Sequence, residues 1–175
     1  MFNTLQKFQK RVEELAARRF CRLQTIAPFV SFEDNCDADT VHIEIPDELY
    51  SSETHFDIDD IFTGRDRYLW LYKDVALPPA RHGFDVIGMF DFGKTGDGTN
   101  KGFESLLYVN GHPYQGVDTY HPDVVFNELS GRTVRLVFMM WTGLEGGGKP
   151  QKLRHLFRRA DIGYLHKATD ELYYY

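Results

Sequence analysis

Residues 105–116 read Ser-Leu-Leu-Tyr-Val-Asn-Gly-His-Pro-Tyr-Gln-Gly, and this stretch decides the fold class. Two strand-like runs flank Asn110-Gly111, a pair that tolerates the positive φ angles of a type I′ turn, so the stretch predicts a β-hairpin. Outward from it, from Arg65 onward, RDRYLWLYKDV, GFDVIGMFDF, FESLLYV, HPYQGVD and RTVRLVFMMW repeat one texture. Each is a short run of aromatic and branched residues bounded by Gly, Pro or Asn. No long helical pattern separates them, which favours an antiparallel β-sandwich or jelly roll over a parallel α/β sheet.

The flanks differ from this β-rich centre. Leu5, Phe8, Val12 and Leu15 recur at steps of three and four among Lys7, Lys10, Arg11, Glu13 and Glu14. That periodicity predicts an amphipathic helix within residues 1–24, too short for a coiled coil and packing on the domain it precedes. Residues 25–168 are then the sandwich, with one early strand expected over Thr40–Ile45 and loop for much of the rest up to Gly64. At residues 169–175, Thr169 or Asp170 is placed to cap a helix running D-E-L-Y-Y-Y, read as the start of a truncated helix.

With 175 residues the chain is long enough for one core without disulfides, and no apolar run reaches the length of a membrane span. The first twenty residues lack the features of a secretory signal, so a cytoplasmic setting is expected, with Cys21 and Cys36 as reduced structural thiols. A net charge of −6 argues against a nucleic-acid partner, and no membrane role is expected. The charges are blocked: Glu33 to Asp60 carries eleven carboxylates and no Lys or Arg, while KPQKLRHLFRR is basic. Such blocks suit either a docking surface or mutual compensation across the fold.

Several motifs resemble chemical sites. Gly88 to Thr95, G-M-F-D-F-G-K-T, matches the phosphate-loop spelling. Its interior is bulky and carries Asp91, and the following G-D-G-T-N-K-G cannot open a helix, so the phosphate reading fails on context. Asp91, Asp97, Thr99 and Asn100 offer oxygen ligands for a calcium-like ion, though without EF-hand spacing. His55-Phe56-Asp57 and His121-Pro122-Asp123 are His-x-Asp triplets without a further ligand cluster. Trp70, Tyr72, Tyr108, Tyr114, Tyr120 and Trp141 are candidates for a sugar-stacking platform, with core packing as the competing reading.

The succession L-W-L-Y-K-D-V-A-L-P-P, D-V-I-G-M-F-D-F and E-S-L-L-Y-V-N-G-H-P-Y-Q-G-V-D-T-Y-H resembles the galactose-binding-like jelly rolls attached to glycosidases. With the N-terminal helix and the ending A-D-I-G-Y-L-H-K-A-T-D-E-L-Y-Y-Y, it is similar to the N-terminal region of family 38 α-mannosidases. The resemblance implies a parent enzyme that hydrolyses α-mannosides with retention, using a zinc-type divalent metal and an aspartate nucleophile in a downstream domain of the same chain. It assigns no catalytic, cofactor-binding or metal residue to this segment. Asp118 and His121 match positions of the family pattern that a bare sandwich does not obviously require. The loop from Gly116 to His121 is therefore the candidate contact with the catalytic domain, against a turn in which Asp118 bonds its own backbone. A stand-alone carbohydrate-binding module is the alternative function, and homo-oligomerisation is compatible with either.

Overall fold

The computed structural model describes residues 4–34, 43–93, 104–143 and 153–175. Strands are numbered along the chain. One sheet takes β1 (Phe20–Thr25), β12 (Arg159–His166), β6 (Phe84–Asp91) and β9 (Asp123–Val125) in that lateral order. The other takes β3 (His55–Phe56), β2 (Phe29–Asp34), β5 (Tyr68–Ala76), β10 (Thr133–Trp141), β7 (Glu104–Val109) and β8 (His112–Asp118). A short pair, β11 (Arg154–Leu156) with β4 (Ile61–Thr63), lies beside them, and every pairing is antiparallel. The chain is thus a mainly β antiparallel sandwich, as the hairpin and its repeating texture predict.

Side-chain alternation explains the sandwich. On β10, Val134, Leu136, Phe138 and Met140 point inward and meet Phe90, Val124, Ala160 and Ile162 of the facing sheet in one core. Phenylalanines dominate its centre: the Phe138 ring lies 4.6 Å from Phe90, 5.1 Å from Phe92 and 6.0 Å from Phe29. The outward residues of the same strands are not all wet. A second cluster of Trp70, Tyr108 and Val137 is roofed by Leu49 of α2 (Glu48–Ser51). Cover on both faces is why RTVRLVFMMW reads as continuous apolar sequence instead of alternating.

The hairpin forms at Asn110-Gly111, with φ of 53° and 84°. Asn110 also continues the sheet: its Oδ1 accepts from the Arg135 amide and its own amide donates to the Arg135 carbonyl, both at 2.9 Å. Beyond the turn, β8 reaches across to the other sheet. The Tyr114 hydroxyl donates to the Val125 carbonyl at 2.7 Å and Gln115 Nε2 to that of Asp123 at 2.9 Å. At the opposite edge, the β1–β12 ladder is interrupted between Cys21 and Gln24, where Arg22 has φ of 54°.

Three local expectations are corrected. The first helix, α1, spans Thr4–Arg18, and Phe20–Thr25 is strand β1 where helix is expected to residue 24. The alternation Phe-Cys-Arg-Leu-Gln-Thr and pairing to β12 outweigh the helical start. Ile43 to Ile45 form no strand; the Ile43 carbonyl accepts instead from the Tyr108 hydroxyl at 2.7 Å, and Ile45 packs on the outer cluster. Residues 40–42, Cys36 and the rest of 35–42 lie outside the described residues. The last helix, α3 (Lys167–Tyr174), starts before Thr169, because His166 is the N-cap and its Nδ1 accepts from the Thr169 amide. Asp170 falls in the first turn and holds Arg19 at 2.6 Å.

The charge blocks meet through the fold. They are joined by backbone bonds, the Asp59 amide donating to the Phe157 carbonyl and the Phe157 amide to the Asp60 carbonyl, both at 2.9 Å, while Glu33 pairs with Arg67, outside the basic stretch.

Candidate functional site

The register of the six-stranded sheet sets five side chains in one row on its outer face. Asp34 is opposite Tyr68, Tyr68 opposite Trp141, Trp141 opposite Glu104, and Glu104 opposite Asp118. Two half-buried rings thus lie between carboxylates, with Glu104 exposed. The Trp141 indole is oriented by its Nε1, which donates to Asp66 at 2.9 Å. Partial burial, with Asp66 nearby, pushes the Tyr68 phenol up. Rings flanked by oxygen acceptors can stack on the apolar face of a sugar and accept from its hydroxyls.

The other candidate aromatics divide. Trp70 and Tyr108 are core residues of the outer cluster. Tyr72 donates to Asp74 at 2.6 Å and, with Tyr50, lies under the Arg135 guanidinium. Tyr114 stacks on Phe126, and Tyr120 points outward from the turn after β8. Tyr68 is the ring of this row that sequence reasoning misses. Its signal is its place two residues before Trp70, on the same strand face.

Asp118 ends the row and organises the turn that follows. One carboxylate oxygen accepts from the Tyr120 and His121 amides, each at 2.7 Å, and faces His121 Nδ1 at 3.1 Å. Partial burial pushes this carboxyl up, but the His121 ring and the two amides outweigh it and hold it below the ordinary carboxylate value. Asp118 therefore does bond its own backbone, and the same bonds fix a turn with Tyr120 and His121 facing outward. Asp118→Ala removes the shared acceptor and is expected to destabilise the fold by about 1–2 kcal/mol, read from the urea midpoint.

The phosphate-loop spelling begins inside strand β6. A Cβ on Gly88 would lie 2.6 Å from the Phe90 ring, so this glycine serves packing; Lys94 and Thr95 lie outside the described residues. Asp91 accepts from the Gly93 amide at 2.8 Å, while Asp97, Thr99 and Asn100 are likewise outside them. In the first His-x-Asp triplet, His55 Nδ1 contacts the Glu53 carbonyl and Asp57 accepts from the Ile58 amide. In the second, His121 is held by Asp118. Among the described residues no three His, Cys, Asp or Glu converge as a metal donor set.

Among the described residues, His155 is a titratable group with no exposed surface. His155 on β11 places Nε2 3.2 Å from the Thr142 carbonyl, while Nδ1 makes no hydrogen bond of acceptable geometry. Burial pushes the imidazole down from 6.5, and backbone contacts to Thr142 and Gly93 only partly oppose it. The fold thus holds the neutral ring. As pH falls below about 6.5 the unfolded chain takes up a proton that the fold rejects, so stability falls with pH from there toward the lower folded value. Urea midpoints between about pH 7.5 and 5 should decline in the wild type and decline less in His155→Gln. That window stays above the range where the depressed carboxyls of Asp74, Asp85 and Asp118 begin to protonate.

Compared with protein-family models and with curated proteins, the sequence matches none.

Proposed function

We propose that this chain is a non-catalytic, galactose-binding-like jelly-roll domain of a retaining α-mannosidase, acting through a contact with the catalytic domain. The mannosidase assignment rests on the resemblance of residues 104–121 and the chain's ending to family 38 enzymes. The observation that supports a contact role is the Asp118 turn, whose internal bonds fix Tyr120 and His121 in an outward position without a partner having to order them. The zinc-type metal implied for the parent finds no fitting donor set among the described residues, so no reaction step is assigned to them.

The test uses the full reading frame. The protein encoded through and past codon 175 is expected to hydrolyse an aryl α-mannoside, and the 175-residue chain is not. In that enzyme Asp118→Ala should lower kcat/KM by about tenfold, equivalent to roughly 1.4 kcal/mol. Unchanged kinetics would sink the contact role, and a reading frame ending at codon 175 would remove the parent enzyme.

A second reading, a carbohydrate-binding module, is favoured by the row Asp34, Tyr68, Trp141, Glu104 and Asp118. Calorimetry with mannose and mannobiose at millimolar concentration decides it. Heat that disappears in Trp141→Ala supports this reading, and no heat at all counts against it.

A further inference from the structure

The hairpin tip joins a carboxamide to the one kind of successor that leaves it open to attack by its own backbone. Of the five asparagines in the sequence, Asn110 alone precedes glycine. Gly111 has no side chain to shield its amide nitrogen, and an added Cβ would meet no atom within 4 Å. Both residues are exposed. In such a pair the Gly111 nitrogen can bond to Asn110 Cγ. The side-chain nitrogen then leaves as ammonia, carrying the proton that the Gly111 amide gives up, and a five-membered imide closes. Water opens this ring either at Cγ, giving aspartate, or at the backbone carbonyl carbon, giving isoaspartate.

The native turn withholds the first step. Ring closure needs the Gly111 nitrogen on the Cβ side of the Asn110 Cα–C bond, within about 3–3.5 Å of Cγ. Asn110 has φ of 53°, in the left-handed region, where ψ is about +47° and the following nitrogen lies nearly opposite Cβ. The carboxamide is held too: Oδ1 accepts from the Arg135 amide while the Asn110 amide donates to the Arg135 carbonyl, both at 2.9 Å. Unpairing of the tip from β10 releases these restraints together.

Arg135 also decides which product the fold accepts. It stands opposite Asp74 of β5, with its guanidinium 3.3 Å from that carboxylate. Asn110 continues β7, the neighbour of β10 on the other side. An aspartate at position 110 keeps an acceptor for the Arg135 amide, now charge-assisted, and flanks the Arg135 cation with a second carboxylate. An isoaspartate instead lengthens the main chain by one atom within the turn, which throws β8 out of register with β7. We propose that Asn110 is a latent deamidation site, released by opening of the hairpin tip from Arg135, and that the hairpin re-forms only around the aspartate product. Neither step depends on the mannosidase reading.

The test incubates the 175-residue chain at neutral pH, folded and unfolded in guanidinium chloride. Fragmentation mass spectrometry locates the conversion at Asn110, and ion exchange resolves the added negative charge. The unfolded chain should convert at least about tenfold faster than the folded one. In denaturant below the unfolding transition, the folded-chain rate should rise in step with hydrogen exchange at the Asn110 amide, which is bonded to Arg135 and reports the same opening. Asn110→Asp should unfold at a urea midpoint no lower than that of the wild type, while the purified isoaspartate form should lose exchange protection along β7 and β8. Equal rates in the two states, or a rate that does not follow exchange, would overturn the gating by Arg135. A destabilised Asn110→Asp, or an isoaspartate form with an intact β7–β8 ladder, would overturn the product selection.

Discussion

Phe138→Ala is expected to lower the free energy of unfolding by about 3–5 kcal/mol, a large share of the total for a domain of ordinary stability. Phe138 sits on an interior strand of the six-stranded sheet, is fully buried, and meets the rings of Phe29, Phe90 and Phe92. Truncation removes its burial and also the favourable edge and tilted contacts those rings make with it, worth about 0.5–1.5 kcal/mol each beyond area. Rings locked between two sheets can relax only partly into the cavity. Urea unfolding should show a lower midpoint at unchanged slope, and a loss under about 1.5 kcal/mol would mean that the core collapses around the gap. Phe138→Leu keeps most of the volume and should cost clearly less.

Gly93→Ala should cost on the order of 3 kcal/mol through a different cause, summing an unfavourable backbone region with overpacking. Gly93 has φ of +99°, and an added Cβ would lie 2.4 Å from both the amide nitrogen and the carbonyl oxygen of Leu156. These are backbone atoms of β11, which cannot rotate aside. The strand must shift, and with it the pairing to β4 and the enclosure of His155. Hydrogen exchange should therefore accelerate along β4 and β11 more than in the β5–β10 ladder. Gly88→Ala provides a contrast, since the atoms nearest its Cβ would be side-chain ring atoms of Phe90 and Phe126 and not backbone. Equal exchange in both ladders would show that Gly93 does not pin the short sheet.

These two positions also show what was legible in advance. The strand carrying Phe138 could be read from RTVRLVFMMW, because branched and aromatic runs punctuated by turns follow from local preference. The hairpin at Asn110-Gly111 could be read for the same reason: its chemistry sits in adjacent residues. The role of Gly93 could not, because the Leu156 backbone that requires it lies sixty-three positions later and arrives only through sheet pairing. Strand β12 is hard to read because Gly163 and polar residues break its pattern, and that glycine leaves room where an added Cβ would lie 2.9 Å and 3.0 Å from the β1 carbonyl oxygens of Arg22 and Cys21. For the candidate site, Asp118 and His121 stand close enough in sequence to suggest a turn. The ring pair of Tyr68 and Trp141 depends on register across strands, which composition does not encode.

The bonds that tie β8 to β9 bear on how the protein behaves at high concentration. A sandwich leaves open strand edges whose unpaired amides and carbonyls can template intermolecular sheet growth. Here the Val125 and Asp123 carbonyls at one margin are already taken by Tyr114 and Gln115 side chains. At the opposite margin the irregular turn of β1 at Arg22 bends the ladder away from flatness. Margins sealed in this way oppose edge-to-edge sheet growth by a chain whose core is rich in aromatic rings.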